Sequence, residues 1–278
     1  MTESTLMSDD SAASTDLAPS PPALVGFGPA GARVAYPLLA AGVAVVILEA
    51  VHRSGWVHPL VFPSPFSVFR AMGEHAGNAT MWRELWTTLQ EAFWGFLIGG
   101  GAGFGIGVAI AMSRFVSRAL YPFTVLFYSM PLIAFAPFFV ALFGFGQTPK
   151  VLMAAAICFF PVLVNTVTGF RSVGDDDVSL MRSICAPRRQ VFVRLLLPNA
   201  LPTVVGGLKT TMTLAFIGAI VGEFTSSNAG IGRLVDEASV RLHIDDVFAY
   251  LIWLALTSMA IFLLIDVLAR RLVFWKTD

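Results

Sequence analysis

Four histidines (His52, His58, His75 and His243) and two cysteines (Cys158 and Cys185) are the chain's candidates for metal binding or nucleophilic chemistry. A zinc or redox centre needs such ligands at short repeated spacings, and none of the six is so placed. Hydrolysis inside a membrane would need a serine–histidine pair, paired aspartates or an HExxH helix within an apolar segment. All four histidines fall between the apolar segments. The run Gly99-Gly-Gly-Ala-Gly103-Phe-Gly105-Ile-Gly107 invites comparison with a phosphate loop. It lacks the preceding strand and the Lys-Ser or Lys-Thr that such a loop requires, and the GxGxxG offset fails too. Gly99, Gly103 and Gly107 instead recur every fourth residue and make a smooth helix face for close packing. No catalytic group, metal site, cofactor or nucleotide site follows from these residues.

The most informative polar stretch runs from Arg171 to Pro202, between two long apolar segments. It carries Arg171, Arg182, Arg188, Arg189 and Arg194 of the chain's 18 Lys+Arg. Connectors between membrane helices are usually far shorter. The stretch also has helical periodicity: Leu180 with Ile184, Met181 with Cys185, Val191 with Leu195 and Phe192 with Leu196 are i,i+4 pairs. Pro187 suits a helix start better than a helix interior, so two short helices are expected to meet near Ala186–Pro187. On physics alone the apolar faces rest on the bundle, on a partner or on lipid headgroups.

The run Leu180-Met-Arg-Ser-Ile-Cys185-Ala-Pro-Arg-Arg-Gln190-Val-Phe-Val-Arg-Leu195-Leu-Leu-Pro198, with Asn-Ala-Leu-Pro202 after it, resembles the cytoplasmic signature loop of ABC importer permeases of the nitrate, sulfonate and taurine branch. The resemblance implies that Leu180, Met181, Arg182, Ile184, Cys185, Ala186, Arg188, Arg189, Gln190 and Pro198 form the element that couples to a separate ATPase. Cys185 stands where the family has glycine, and its Cβ disfavours a left-handed turn there. Ser-Met130-Pro131-Leu-Ile-Ala-Phe-Ala-Pro137 resembles the family's proline-broken helix, with Met130 in place of one proline. Val61-Phe-Pro-Ser-Pro65 and Glu223 with Gly230-Ile-Gly232 resemble two further family segments. The resemblance extends over about Val61 to Leu268.

Hydrophobic residues make up 56% of the chain and charged ones 13%. Soluble domains carry about 25% charge, so the composition is that of an integral membrane protein. Residues 1–30 (MTESTLMSDDSAASTDLAPSPP…) read as a disordered cytoplasmic leader, and residues 31–278 as the transmembrane domain. The expected fold is all-α with six transmembrane helices, near 34–50, 93–112, 122–145, 151–170, 201–221 and 247–268. The coupling helix lies between the fourth and fifth. His52–Glu91 is expected outside the membrane, Met112–Tyr121 as a short basic turn, and Gly144–Lys150 as a tight outside turn. Two prolines in the third span free backbone groups that need a wet cavity or neighbouring protein. Tyr128, Met130, Pro131 and Pro137 of this stretch, with Asn165, Lys209 and Glu223 of later spans, are the candidate pathway residues. Asp266 and Arg270, at i,i+4, are expected to pair.

Eleven Lys and Arg fall on the side of the leader and signature loop and six on the other, which by the positive-inside rule puts both termini in the cytoplasm. A stand-alone secondary carrier or channel would call for coupling charges in mid-span or inverted repeats, and neither stands out. The resemblance implies a permease in the bacterial inner membrane, working with two ATPase subunits, a second permease copy (a homodimer) and a periplasmic substrate-binding protein. Lipid surrounds it, and nothing points to nucleic acid. The solute class is small: sulfonate, nitrate, pyrimidine precursor or aromatic acid.

Overall fold

The computed structural model describes residues 30–54, 63–226 and 228–272. All but the last residue of the expected leader, together with His58, Val61 and Phe62, lie outside the described residues. The chain divides into two units, Met1–Ala50 and Val51–Asp278. In the first, the Ala-, Val- and Leu-rich segment is helical within α1 (Ala30–Arg53), and the expected first span falls inside that helix.

In the second unit, α2 (Pro65–Ala76) starts where Ser64 accepts the Ser67 amide at 3.2 Å and Pro65 takes the first helical position. Asn78 caps α3 (Ala79–Met112) through the Thr80 amide. Then follow α4 (Arg114–Tyr128), a 3₁₀ turn (Leu132–Phe135), α5 (Ala136–Phe143), α6 (Gln147–Arg171), α7 (Asp175–Ser183) and α8 (Arg188–Val191). A π-helical turn (Phe192–Leu196) leads into α9 (Leu197–Thr225), and α10 (Ile231–Val240) and α11 (Ile244–Leu272) complete the order. All regular structure among the described residues is helical.

Four segments are long and apolar enough to cross a membrane: α3, α6, the run Arg188–Thr225 and α11. The pair α4 and α5, bent by 87°, makes a fifth if it counts as one span. The expected third span is thus not a single helix. Its chain breaks at Ser129–Pro131, and Pro137 sits in the first turn of α5, where its missing N–H costs nothing. Two other boundaries move. The helix that carries the expected second span begins at Ala79, as the 34-residue α3, so Glu84 and Glu91 belong to that same helix. The expected basic turn at Met112–Tyr121 is helical from Arg114.

Helix α6 lies between α3 and α9. A methyl carbon built on Gly99 would come within 2.1 Å of the Ala155 carbonyl oxygen, one on Gly103 within 2.4 Å of Phe159 O, and one on Gly107 within 2.7 Å of Thr166. From the other side, a methyl on Gly218 would meet Ala154 at 2.6 Å and one on Gly222 would meet Lys150 at 2.7 Å. Without side chains at these positions the backbones approach closely, and dispersion between them replaces the hydrophobic drive that lipid cannot supply. Met81, Ala92, Ala154, Met212, Phe216, Ile231 and Tyr250 pack into the largest core cluster, which joins α3, α6, α9, α10 and α11.

Candidate functional site

The polar stretch after α6 folds as a helix, a turn and a helix. At the end of α7 the Cys185 amide donates to Arg182 O at 2.9 Å and the Ala186 amide to Met181 O at 3.0 Å. These are the paired backbone bonds of a left-handed helix ending, and Cys185 at φ 54° occupies its left-handed position. The chain therefore makes the turn that favours glycine despite the Cβ, at a cost of about 1–2 kcal/mol. Pro187, extended at ψ 150°, then starts α8. Leu180 and Ile184 stand 65% and 67% exposed, with Met181 half-buried. Arg182, Arg188, Arg189 and Gln190 are exposed around them, while Ala186 is half-buried. The helix opens into its π-helical turn just before Pro198, whose ring would otherwise clash with the carbonyl of Arg194.

The break between α4 and α5 exposes Tyr128, Met130, Pro131 and Pro137. The remaining pathway candidates lie elsewhere. Asn165 turns its amide back to Pro161 O at 2.8 Å. Lys209 on α9 reaches Asp266 on α11 at 2.5 Å, and Asp266 also accepts from Arg270 at 2.8 Å. Glu223 is wholly buried.

Glu223 belongs to a buried polar cluster where α3, α6, α9 and the start of α10 meet. Its carboxylate accepts from Thr88 Oγ1 at 2.6 Å and from the Gly232 amide at 2.5 Å. The Ile231 amide donates to Thr88 Oγ1 at 2.9 Å and the Gly230 amide to Glu84 Oε2 at 2.8 Å. Three side chains on two spanning helices thus satisfy the first free amides of α10, and two carboxylates sit at its positive end. Gly230, at φ 107°, admits no side chain, since a Cβ there would meet Glu223 Oε1 at 1.9 Å. Lys150 donates to Ala229 O at 2.6 Å and stands 3.2 Å from Glu91 Oε1. Neither Glu91 oxygen accepts a hydrogen bond among the described residues. Arg233, on α10, bridges to Glu84 and to Glu237. Burial lowers the pKa of Arg233, but the Glu237 and Glu84 carboxylates outweigh it and hold the guanidinium above its usual range.

The expected outside turn at Gly144–Lys150 is corrected here: Lys150 is in the first turn of α6 and only 1% exposed. Sequence reasoning missed Glu84, Thr88, Glu91 and Lys150. The available signal was the i, i+4, i+7 polar stripe of the first three residues on one face of a helix.

The family model for the binding-protein-dependent transport system inner membrane component matches residues 101–276. A probable ABC transporter permease protein of Haemophilus influenzae is 32% identical over 242 residues, which cover 87% of this chain and 98% of that one. The riboflavin transport system permease protein RibX of Chloroflexus aurantiacus is also 32% identical, over 88% of this chain and 93% of its own. Among solved structures, the inward-facing MetNI methionine ABC transporter matches with a TM-score of 0.58 over 70% of this chain and 95% of that one, at 19% identity, a likeness of fold. With more than half of its length inside the family match and 32% identity to a relative matched almost end to end, this chain belongs to the family of binding-protein-dependent transport system inner membrane components, the permeases of ABC transporters.

Proposed function

We propose that this chain is the membrane-crossing permease subunit of an ABC importer, carrying a small solute that a periplasmic binding protein delivers. In this reading six spans cross the inner membrane, the sixth being contributed by α1, and both termini are cytoplasmic. Two permease copies form the pathway and two ATPase subunits drive it. The candidate pathway residues around the α4–α5 break, Tyr128, Met130, Pro131 and Pro137, line that route. The solute is a sulfonate, nitrate, pyrimidine precursor or aromatic acid, or a larger vitamin such as the riboflavin in the name of one relative.

The observation that carries this reading is the exposure of Leu180 and Ile184 on a helix whose end is held by backbone bonds and flanked by Arg182, Arg188 and Arg189. Two large apolar side chains displayed on an ordered helix–turn between spans suit a cleft on a partner. The ATPase subunit is that partner. The carrier reading would draw on the buried charges, but Lys150, Glu84 and Glu223 bond to the Ala229, Gly230 and Gly232 backbone groups, which suits a structural joint.

Ile184→Asp tests the proposal by co-purification with the ATPase subunit, ATPase activity and uptake into proteoliposomes. Placing a carboxylate in an apolar cleft is costly, so the variant is expected to lose the ATPase subunit or to hydrolyse ATP without transport. Arg189→Ala should be milder and more salt-sensitive. If Ile184→Asp assembles and transports like the parent, the helix–turn is not the coupling element.

A further inference from the structure

Between α4 and the C-terminal part of α6 lies a cleft of about 230 Å³. Tyr121, Thr124 and Tyr128 line it from α4, and Val167, Thr168 and Arg171 from α6. Its volume is below the ≈ 300–1,000 Å³ typical of drug-sized pockets, so it suits a ligand of roughly ten non-hydrogen atoms. The Arg171 guanidinium donates to Ser117 Oγ at 2.8 Å and lies 5.2 Å from the centre of the Tyr121 ring. These neutral contacts hold it in place without cancelling its charge. No described carboxylate lies within ion-pair distance of it. The C-terminus of α6 offsets part of that charge, by roughly half a unit. What remains is a cation lining a mainly apolar, aromatic cleft that Tyr121, Tyr128 and Thr168 also line.

We infer that this cleft binds an anion carried on a compact apolar or aromatic body, such as an organic sulfonate or carboxylate. Arg171 holds the charged head, and the free guanidinium N–H groups give it a planar fork suited to two anionic oxygens. The Tyr121 and Tyr128 rings and Val167 cover the body, and the tyrosine and Thr168 hydroxyls donate to the head. A lipid headgroup presents the same chemistry, a phosphate joined to an apolar body, and is the other source of such a ligand. That the cleft lies on the solute's route rests on the permease reading; the binding itself does not.

The test uses the full chain in nanodiscs of phosphatidylcholine, titrated calorimetrically with benzenesulfonate. Arg171→Gln and Tyr128→Leu are the variants, with Arg188→Gln as a control for charge on an exposed helix. Saturable binding that weakens about tenfold to a hundredfold in Arg171→Gln, less in Tyr128→Leu and not in Arg188→Gln, establishes a site for a free solute anion. A second arm reads phosphatidylglycerol retained by the purified chain in native mass spectrometry. Retention lost in Arg171→Gln but kept in Arg188→Gln, without benzenesulfonate binding, assigns the same anion site to a lipid headgroup. If neither probe separates Arg171→Gln from Arg188→Gln, and Tyr128→Leu binds as the parent does, the inference is overturned. The Ile184→Asp experiment is unaffected by that result, so failure here leaves the permease reading standing.

Discussion

Replacing Lys150 by methionine removes the only buried cation beside Glu91 among the described ion pairs. Both side chains are 1% exposed, and 3.2 Å separates Lys150 Nζ from Glu91 Oε1. Removing one member of a buried pair costs about 3–5 kcal/mol, mostly because the other charge is left alone. The Ala229 carbonyl loses its 2.6 Å donor at the same time, which adds about 1–3 kcal/mol. Taking the pair's loss alone, and about 2–4 °C per kcal/mol for a chain of this size, Lys150→Met should lower the melting temperature by about 6–20 °C. The double variant Lys150→Met/Glu91→Leu removes both charges and substitutes apolar groups of similar volume, a change that is often close to neutral. It should recover at least half of the loss, with the Ala229 carbonyl accounting for the remainder. Thermal unfolding of the parent, both single variants and the double variant in detergent, followed by tryptophan fluorescence, completes the cycle. A Lys150→Met melting temperature within about 2 °C of the parent, or a double variant whose loss equals the sum of the singles, would refute the assignment of a buried, coupled pair.

Other outcomes follow from the backbone geometry. Cys185→Gly relieves the left-handed strain at φ 54°. It should stabilise the α7–α8 turn by about 1 kcal/mol or less, seen as slower hydrogen exchange at the Cys185 and Ala186 amides, whereas Cys185→Val should speed it. Gly99→Ala puts a methyl 2.1 Å from Ala155 O, which should destabilise by about 1–3 kcal/mol. Gly101→Ala, with open space around it, should be neutral or stabilise by up to about 1 kcal/mol. Equal melting temperatures for these two variants would contradict the observed α3–α6 approach. Glu223→Leu removes the acceptor for Thr88 and Gly232. The start of α10 should then become accessible to proteolysis, which limited digestion reads directly.

The helical class, the membrane setting and the family were legible from local features: long apolar segments, little charge, and a polar stretch whose residues match a known pattern in order. The bend at Ala186–Pro187 was legible too, because a proline limits the backbone wherever it occurs. Its left-handed form was harder to foresee. The Cβ of Cys185 argues against it, yet the Met181 and Arg182 carbonyls gain their donors only if the chain turns that way.

The sequence alone determined properties that depend on neighbours along the chain: which segments are apolar, where prolines interrupt them, and that no phosphate loop is present. Only the tertiary structure decided what depends on distant segments. It folded the third apolar stretch into two helices at 87°. It also brought Glu84 and Thr88 of α3, Lys150 of α6 and Glu223 of α9 onto one short backbone segment at the start of α10, with Glu91 of α3 beside Lys150. Thr88 and Glu223 are 135 positions apart in sequence, so no local pattern links them. Each looks like an isolated charge or hydroxyl near a helix end, where water would be an adequate partner. Their common burial is settled by the side-chain-free faces that let α3 and α9 close on α6, because a buried charge is tolerated only where packing delivers a partner to it.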